Sequence, residues 1–289
     1  MNKLLISFAL VALISVSGCK KNNLVIDKDP LIPPQYAELV LPTFTAKSYF
    51  ITSDPATEFK IPVGITNVTN ADRTIQFTYT SATAVQGTHY TAPASITIPA
   101  GKALDTLRIK GIFANYPSGR KDIVKVKITG GSAPAFVGKD SVNVVLQKYC
   151  PVVLNALLGN YARTTELLGT GAYGPYLTSV SSVTPVSTTK GKIVVENIFD
   201  YGWGPITFDL DWADPDPNKF TVTVVTQSSG IADGGTIDAP YAGKEVMVRP
   251  FSGQSGTFDA CDNTITLKMQ IGVVGVGYLP SLYTVTMKR

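Results

Sequence analysis

The sequence predicts an all-β protein built as two domains in series. Three observations carry that expectation. Beyond residue 34, apolar residues repeatedly alternate with polar ones in short runs, the period-two signature of a half-buried strand. The composition is rich in Val, Thr, Ile, Tyr and Gly while charged residues make up only 16%, so much of the solvent face must be uncharged and polar, as antiparallel sheets allow. A length of 289 residues suits two domains after an N-terminal export segment.

At the start of the chain, Lys3 precedes an unbroken apolar and small run, Leu4 to Val16. The run is too short for a permanent membrane-spanning helix but matches the core of an export signal. It ends in Val16-Ser17-Gly18-Cys19, which resembles a bacterial lipobox. The resemblance implies that residues 1–18 are a lipoprotein signal peptide and that Cys19 becomes the lipidated first residue of the mature chain, with membrane attachment through lipid. Residues 19–34, with Asn22-Asn23, Asp29-Pro30 and Pro33-Pro34, read as an extended tether. Loss of Lys3 with the leader takes the formal net charge from +4 to +3, and the basic residues are scattered, so nothing points to nucleic acid. No second apolar run reaches spanning length, since Gly272, Gly275 and Gly277 break Ile271 to Leu279.

The first domain is expected over residues 35–148. Ile75, Phe77 and Tyr79 share one face, and the same alternation recurs at Ile96 and Ile98, Leu107 and Ile109, Val124 to Ile128, and Val142 to Leu146. Seven or eight strands parted by turns such as Pro99-Ala100-Gly101 and Pro117-Ser118-Gly119 make an immunoglobulin-like sandwich. Their order resembles the Calx-beta type over roughly residues 57–130: strands at Phe59 to Ile65 and Arg73 to Thr80, then Gly87-Thr88-His89-Tyr90, then Ser95 to Gly101. That family's usual Gly-x-Asp-Tyr has an aspartate where this chain has His89, so its calcium sites are not expected here. Tyr90 reads as a packing residue, and His89, the sole histidine, as a locally bonded side chain.

The second domain is expected over residues 149–289. A short helical turn through Val152 to Leu158 stops at Gly159. Strands then follow at Asn160 to Thr165, Gly191 to Asn197, Ile206 to Trp212, Lys219 to Thr226, Val246 to Pro250, Thr257 to Ala260, Thr264 to Ile271 and Tyr283 to Lys288. Such a meander makes either an up-and-down, lipocalin-like antiparallel barrel or a second sandwich. With Cys19 assigned to lipid, Cys150 and Cys261 remain as an even pair for a disulfide in an exported protein. Leu158-Gly159-Asn160-Tyr161 and Gly256-Thr257-Phe258-Asp259-Ala260-Cys261, with the Thr264 to Gln270 strand, resemble the carboxy-terminal domains of lipoproteins encoded beside glycan-uptake systems in Bacteroidetes. The resemblance implies a lipid-anchored protein of the outer membrane, an accessory to polysaccharide uptake with a polysaccharide or oligosaccharide ligand and an outer-membrane transporter complex as partner. Lys20-Lys21-Asn22-Asn23 replaces the acidic residues that often follow the cysteine in surface-exported members, which leaves the surface and periplasmic faces both open.

Motifs for catalysis are missing. The one histidine has no Gly-x-Ser-x-Gly context, and neither His-Glu-x-x-His, paired Cys-x-x-Cys nor a phosphate-binding loop occurs. Glycoside hydrolysis needs two facing carboxyl groups, and Glu166, Glu196 and Glu245 show no pairing by spacing. The expectation is a non-catalytic protein without a cofactor or metal; a purely structural subunit of the envelope is the alternative. Glycan contact would fall to aromatic rings in loops, whose faces stack on sugar C–H groups. Tyr173, Tyr176, Tyr201, Trp203 and Tyr278 are the candidates, with Tyr241 in a further turn-rich stretch. Gly202 and Gly204 flank Trp203, which reads as a loop residue, whereas Trp212 falls on the inward face with Ile206, Phe208 and Leu210. Asp209, Asp211, Asp214 and Asp216 are the one conceivable calcium cluster, without the glycine and glutamate of an EF-hand loop.

Overall fold

Strand alternation builds each half of the molecule in the computed structural model, which describes residues 34–200 and 202–289. The expected signal peptide, Cys19, the expected tether up to residue 33, and Tyr201 lie outside the described residues. Nine strands form the first domain: β1 (Ala37–Leu39), β2 (Lys47–Ile51), β3 (Phe59–Ile65), β4 (Arg73–Thr80), β5 (Tyr90–Thr91), β6 (Ser95–Ile98), β7 (Leu104–Gly111), β8 (Lys121–Gly131) and β9 (Ser141–Lys148). They make a four-stranded sheet, β1-β3-β7-β5, and a five-stranded sheet, β2-β9-β8-β4-β6. Ile61 and Val63 of the first and Ile75, Val124, Val126 and Val144 of the second are buried in one shared core, so the domain is the expected sandwich.

The second domain holds β10 (Gly159–Leu168), β11 (Gly171–Ser187), β12 (Lys190–Glu196), β13 (Ile206–Asp211), β14 (Thr221–Val224), β15 (Gln227–Ser228), β16 (Val246–Arg249), β17 (Gly256–Asp259), β18 (Thr264–Val273), β19 (Gly277–Tyr278) and β20 (Tyr283–Met287). The order β10-β11-β12-β13-β14-β17-β18-β20 closes back on β10, giving an eight-stranded antiparallel barrel and not a second sandwich. Inward residues such as Ile193, Val195, Phe208, Leu210, Leu267 and Val285 are buried in one core inside it.

Two assignments of strands change. Residues 171–176, expected in an aromatic loop, open the long strand β11. Val246–Arg249 is a strand but stands outside the closed ring, pairing with β15 and the far half of β18. Gly174-Pro175 misled the sequence pattern because those two residues are accommodated at an irregularity in the β10–β11 register, between Thr164↔Tyr176 and Glu166↔Tyr173.

The two domains are joined at several points. Cys150, just past β9, is bonded to Cys261 in the β17–β18 turn across 111 residues of sequence. On the chain-entropy account such a closure contributes about 4–5 kcal/mol. Asp216 accepts from Lys121 Nζ and from Gln147 Nε2 at 3.0 Å, Asn218 Nδ2 donates to Gly119 O at 2.9 Å, and Ser118 Oγ donates to Asp259 Oδ2 at 2.6 Å. The turn after β13 therefore docks the barrel onto the β7–β8 connection. Burial would raise the Asp216 pKa, but the hydrogen bonds from Lys121, Gln147 and the Asn218 amide outweigh it and hold the carboxyl below its ordinary value. A depressed folded pKa stabilises the joint above the ordinary carboxylate value, and the stabilisation is lost as pH falls through the depressed one. Asp216→Ala is thus expected to lower unfolding free energy by about 1–2 kcal/mol near neutrality, Lys121 being partly solvated. In urea titrations stepped into acid, the gap between the variant and the wild type should close.

Candidate functional site

Strand β18 is longer than its neighbours in the barrel. Its first six residues pair with β17 and β20, and from Gln270 onward its partners are β16 and β19, which diverge from the ring. Alternation continues without a break, so Ile265, Leu267 and Met269 plug the barrel while Ile271 and Val273, on the same face, emerge above it. A cavity of about 400 Å³ opens there. It is bounded by Ile271 and Val273, by Leu168 at the end of β10, by Phe199 and Trp203 from the β12–β13 connection, and by Leu279 past β19.

The β12–β13 connection turns inward, opposite to the exposed loop its glycines predicted. Trp203 is only 3% exposed and belongs to the barrel core. Ile198 N–H donates to Trp203 O at 3.0 Å, and Gly204 N–H donates to Ser229 O at 2.8 Å, which pins the backbone on both sides of the indole. Asn197, Phe199 and Asp200 all have positive φ, at 58°, 64° and 56°, a conformation that costs non-glycine residues on the order of 1–3 kcal/mol each and persists only where its surroundings enforce it. Asn197 helps to enforce it, accepting from Gly202 N at 2.8 Å and donating to Leu177 O at 2.6 Å. Gly230 (φ +84°) is required beside Trp203, since a Cβ there would sit 2.3 Å from Gly204 O.

A buried polar cluster braces Phe199. Its N–H donates to the Tyr176 hydroxyl at 3.1 Å, and that hydroxyl donates to Glu166 Oε2 at 2.9 Å, an oxygen that also accepts from Tyr283. Burial first, then the neighbouring phenol and the Glu166 carboxylate, push the Tyr283 pKa far up, and burial with Glu166 does the same to Tyr176. Both phenols stay protonated and donating. The Phe199 ring stacks on Tyr283 with centroids 3.9 Å apart and planes 4° from parallel, and tilts onto Trp203 at 4.2 Å. Glu166 carried no local signal in the sequence, because its partners are 10 and 117 residues away.

The segment between β15 and β16 covers the other side. Ile231 and Tyr241 line the cavity half-buried, and Thr236 and Ile237 stand at its exposed edge, Ile237 being 48% exposed. Asp233 ties this segment to itself, its Oδ1 accepting from Gly235 N at 2.8 Å and Gly243 N at 2.7 Å. Of the side chains around the cavity, only Thr236, Tyr241 and the Trp203 indole carry a polar atom, and none is charged. A hydroxyl left without a partner there costs about 1–3 kcal/mol, whereas each Å² of apolar surface removed from water returns about 25 cal/mol.

No family model matches the chain, and no curated protein does. Solved structures resemble it in layout. A two-domain protein with unknown function from Bacteroides fragilis NCTC 9343 aligns at 11% identity and TM-score 0.35, over 92% of this chain and 97% of that one. A protein from Bacteroides ovatus ATCC 8483 described as a "putative carbohydrate binding protein" aligns at 13% identity and TM-score 0.33, over 86% and 69%. The apo-form Calx CBD1 domain aligns at 12% identity and TM-score 0.32, over 41% of this chain and all (100%) of that one. Scores this low carry no argument about a ligand, which must come from the cavity itself.

Of the residues expected to contact glycan, Tyr173 and Tyr176 have rings 5.8 Å apart and Tyr176 reaches Trp203 through Phe199, while Tyr278 lies on another strand. Trp203 lines the cavity, and Tyr176 is 6% exposed within the Glu166 cluster on β11. The Tyr278 ring packs over Gly272 and carries the Arg249 guanidinium 3.7 Å from its centroid. Tyr173 keeps a 54% exposed side chain, its hydroxyl donating to Asp200 Oδ2 at 3.1 Å. Trp212 is half-buried, edge-on to Phe258, and not fully in the core. The four aspartates do not form a calcium cluster: Asp209 pairs with Lys192, Asp211 with Lys190, Asp214 with Lys219 and Asp216 with Lys121. Among the described residues no group of three or more acidic, His or Cys side chains could hold a metal. His89 accepts from Val85 N at 2.9 Å through Nδ1, a local bond as expected.

The placement of Trp203 is testable by stability. Trp203→Ala should cost about 3–5 kcal/mol in urea unfolding, the range for a buried aromatic; a tryptophan in an exposed loop would cost under about 0.5 kcal/mol.

Proposed function

We propose that this chain is a non-catalytic binding protein of the bacterial cell envelope, lipid-anchored at Cys19 to the outer membrane, that captures a small ligand at the mouth of its second domain. The solvent-open cavity above the filled barrel carries the proposal: its volume lies in the ~300–1,000 Å³ range of small-molecule sites, and its wall is preformed by braced side chains. Among the lining side chains no carboxylate, imidazole, amine or thiol is present to act as acid, base or nucleophile, which supports binding without turnover. The arrangement of sandwich and barrel on a lipidated tether suits an accessory of polysaccharide uptake working beside an outer-membrane transporter complex.

A second reading, direct binding of a polysaccharide or oligosaccharide, is favoured by the exposed Tyr173 ring, with Asp200 beside it to hydrogen-bond sugar hydroxyls. The two sites are separable.

The chain has two tryptophans, so Trp212→Phe leaves Trp203 as the sole indole reporter of the cavity. Titrating that variant with organic-soluble and water-soluble fractions of the bacterial envelope should shift or quench its emission with saturation, and no response to any fraction would contradict cavity binding. In polysaccharide affinity gels, retention lost in Tyr173→Ala supports the glycan reading, and free migration of the wild type sinks it.

A further inference from the structure

We infer that the cavity above the barrel takes a hydrocarbon moiety, an acyl or comparable apolar chain, either free or carried by a sugar-headed lipid. This rests on the proposal that the cavity is a ligand site and names what it accepts.

Three observations converge. First, the lining is mostly hydrocarbon: Trp203, Ile271 and Val273 are buried, Leu168 and Leu279 half-buried, and Ile237 is 48% exposed at the edge, with polar atoms only on Thr236, Tyr241 and the indole. A sugar ring placed there would lose water from most of its hydroxyls and meet few donors or acceptors in return. An alkyl chain loses nothing polar and gains contact along its length.

Second, exposed hydrocarbon follows Val273 in the chain. The turn beyond Val273 leaves Val274 and Val276 at 50% and 52% exposure. Neither lines the cavity, but both put exposed hydrocarbon within three residues of Val273, which does.

Third, the polar groups nearby are already engaged elsewhere. Glu166 Oε2 accepts from two phenols, Arg249 lies over the Tyr278 ring and donates to Gln270 Oε1 at 2.9 Å, and Asp233 accepts from its own loop. None lines the cavity. A charged or hydroxylated head group would therefore remain outside, in water, while its chain fills the interior.

The test uses the mature protein and N-phenyl-1-naphthylamine, a dye whose fluorescence rises in apolar surroundings. The dye should bind saturably and be displaced by dodecanoate, and dodecyl maltoside below its micelle concentration should displace it as well if the site accepts sugar-headed chains. Displacement by dodecanoate alone assigns the site to free chains, and by dodecyl maltoside alone to sugar-headed lipids; both support a hydrocarbon site. Maltoheptaose, a sugar without a chain, should not displace it. Ile237→Asp, which puts a charge at the exposed rim without touching the core, should weaken dye binding at least ten-fold, while Val137→Asp, at the 90% exposed position in the sandwich, should leave it unchanged. Absence of dye binding, displacement by maltoheptaose, or equal affinity in Ile237→Asp would overturn the assignment. If only the hydrocarbon assignment fails, a water-soluble fraction still alters Trp203 emission in Trp212→Phe; if the cavity is no ligand site, no fraction does.

Discussion

One strand face governs the barrel domain. Along β18, the alternating positions Ile265, Leu267 and Met269 occupy the barrel interior, and Ile271 and Val273 repeat the pattern beyond the point where the ring ends. Period two is interrupted only by a bulge, so where the strand outruns its partners the same face continues above the barrel, and there it carries Ile271 and Val273. Those side chains need cover. The inward fold of the β12–β13 connection and the β15–β16 segment provide it incompletely, and the cavity is what remains between them.

The cover is held by groups chosen for rigidity. Phe199 is fixed by a backbone hydrogen bond to Tyr176, by stacking on Tyr283 and by a left-handed backbone at 64°. Its position therefore depends on Glu166, the acceptor shared by both phenols, and removing that carboxylate would leave two buried hydroxyls short of a partner. The sandwich takes no part in this wall. It meets the barrel through Asp216, Asn218 and Asp259, while the Cys150–Cys261 bond ties the linker to the β17–β18 turn.

Much of the fold was legible in the sequence because alternation is a local signal. Phe59–Ile65 and Arg73–Thr80 match their expected bounds, and the cysteines left after Cys19 are joined. The site was less legible because it depends on non-local closure. Gly174-Pro175 hides the strand from a sequence reading, because the pair is accommodated only by the irregularity opposite it, and Tyr173 and Tyr176 therefore read as loop residues. Trp203, flanked by glycines, reads as exposed; its burial follows from bonds to Ile198 and from the Gly204–Ser229 contact, which no spacing rule encodes. The aspartates of 209–216 looked like one cluster because they are close in sequence, but Asp209 and Asp211 meet lysines on the neighbouring β12 and Asp216 reaches the other domain. Cys19, the expected lipidation site, and Tyr201 lie outside the described residues.

What occupies the space above Met269 decides between these readings of the cavity. A crystal structure of residues 34–289 grown with dodecanoate measures it directly. The account predicts chain density against Ile271, Val273 and the Trp203 indole, with the carboxylate in solvent near Ile237. A cavity holding ordered water alone, with dodecanoate absent or bound elsewhere, would contradict it.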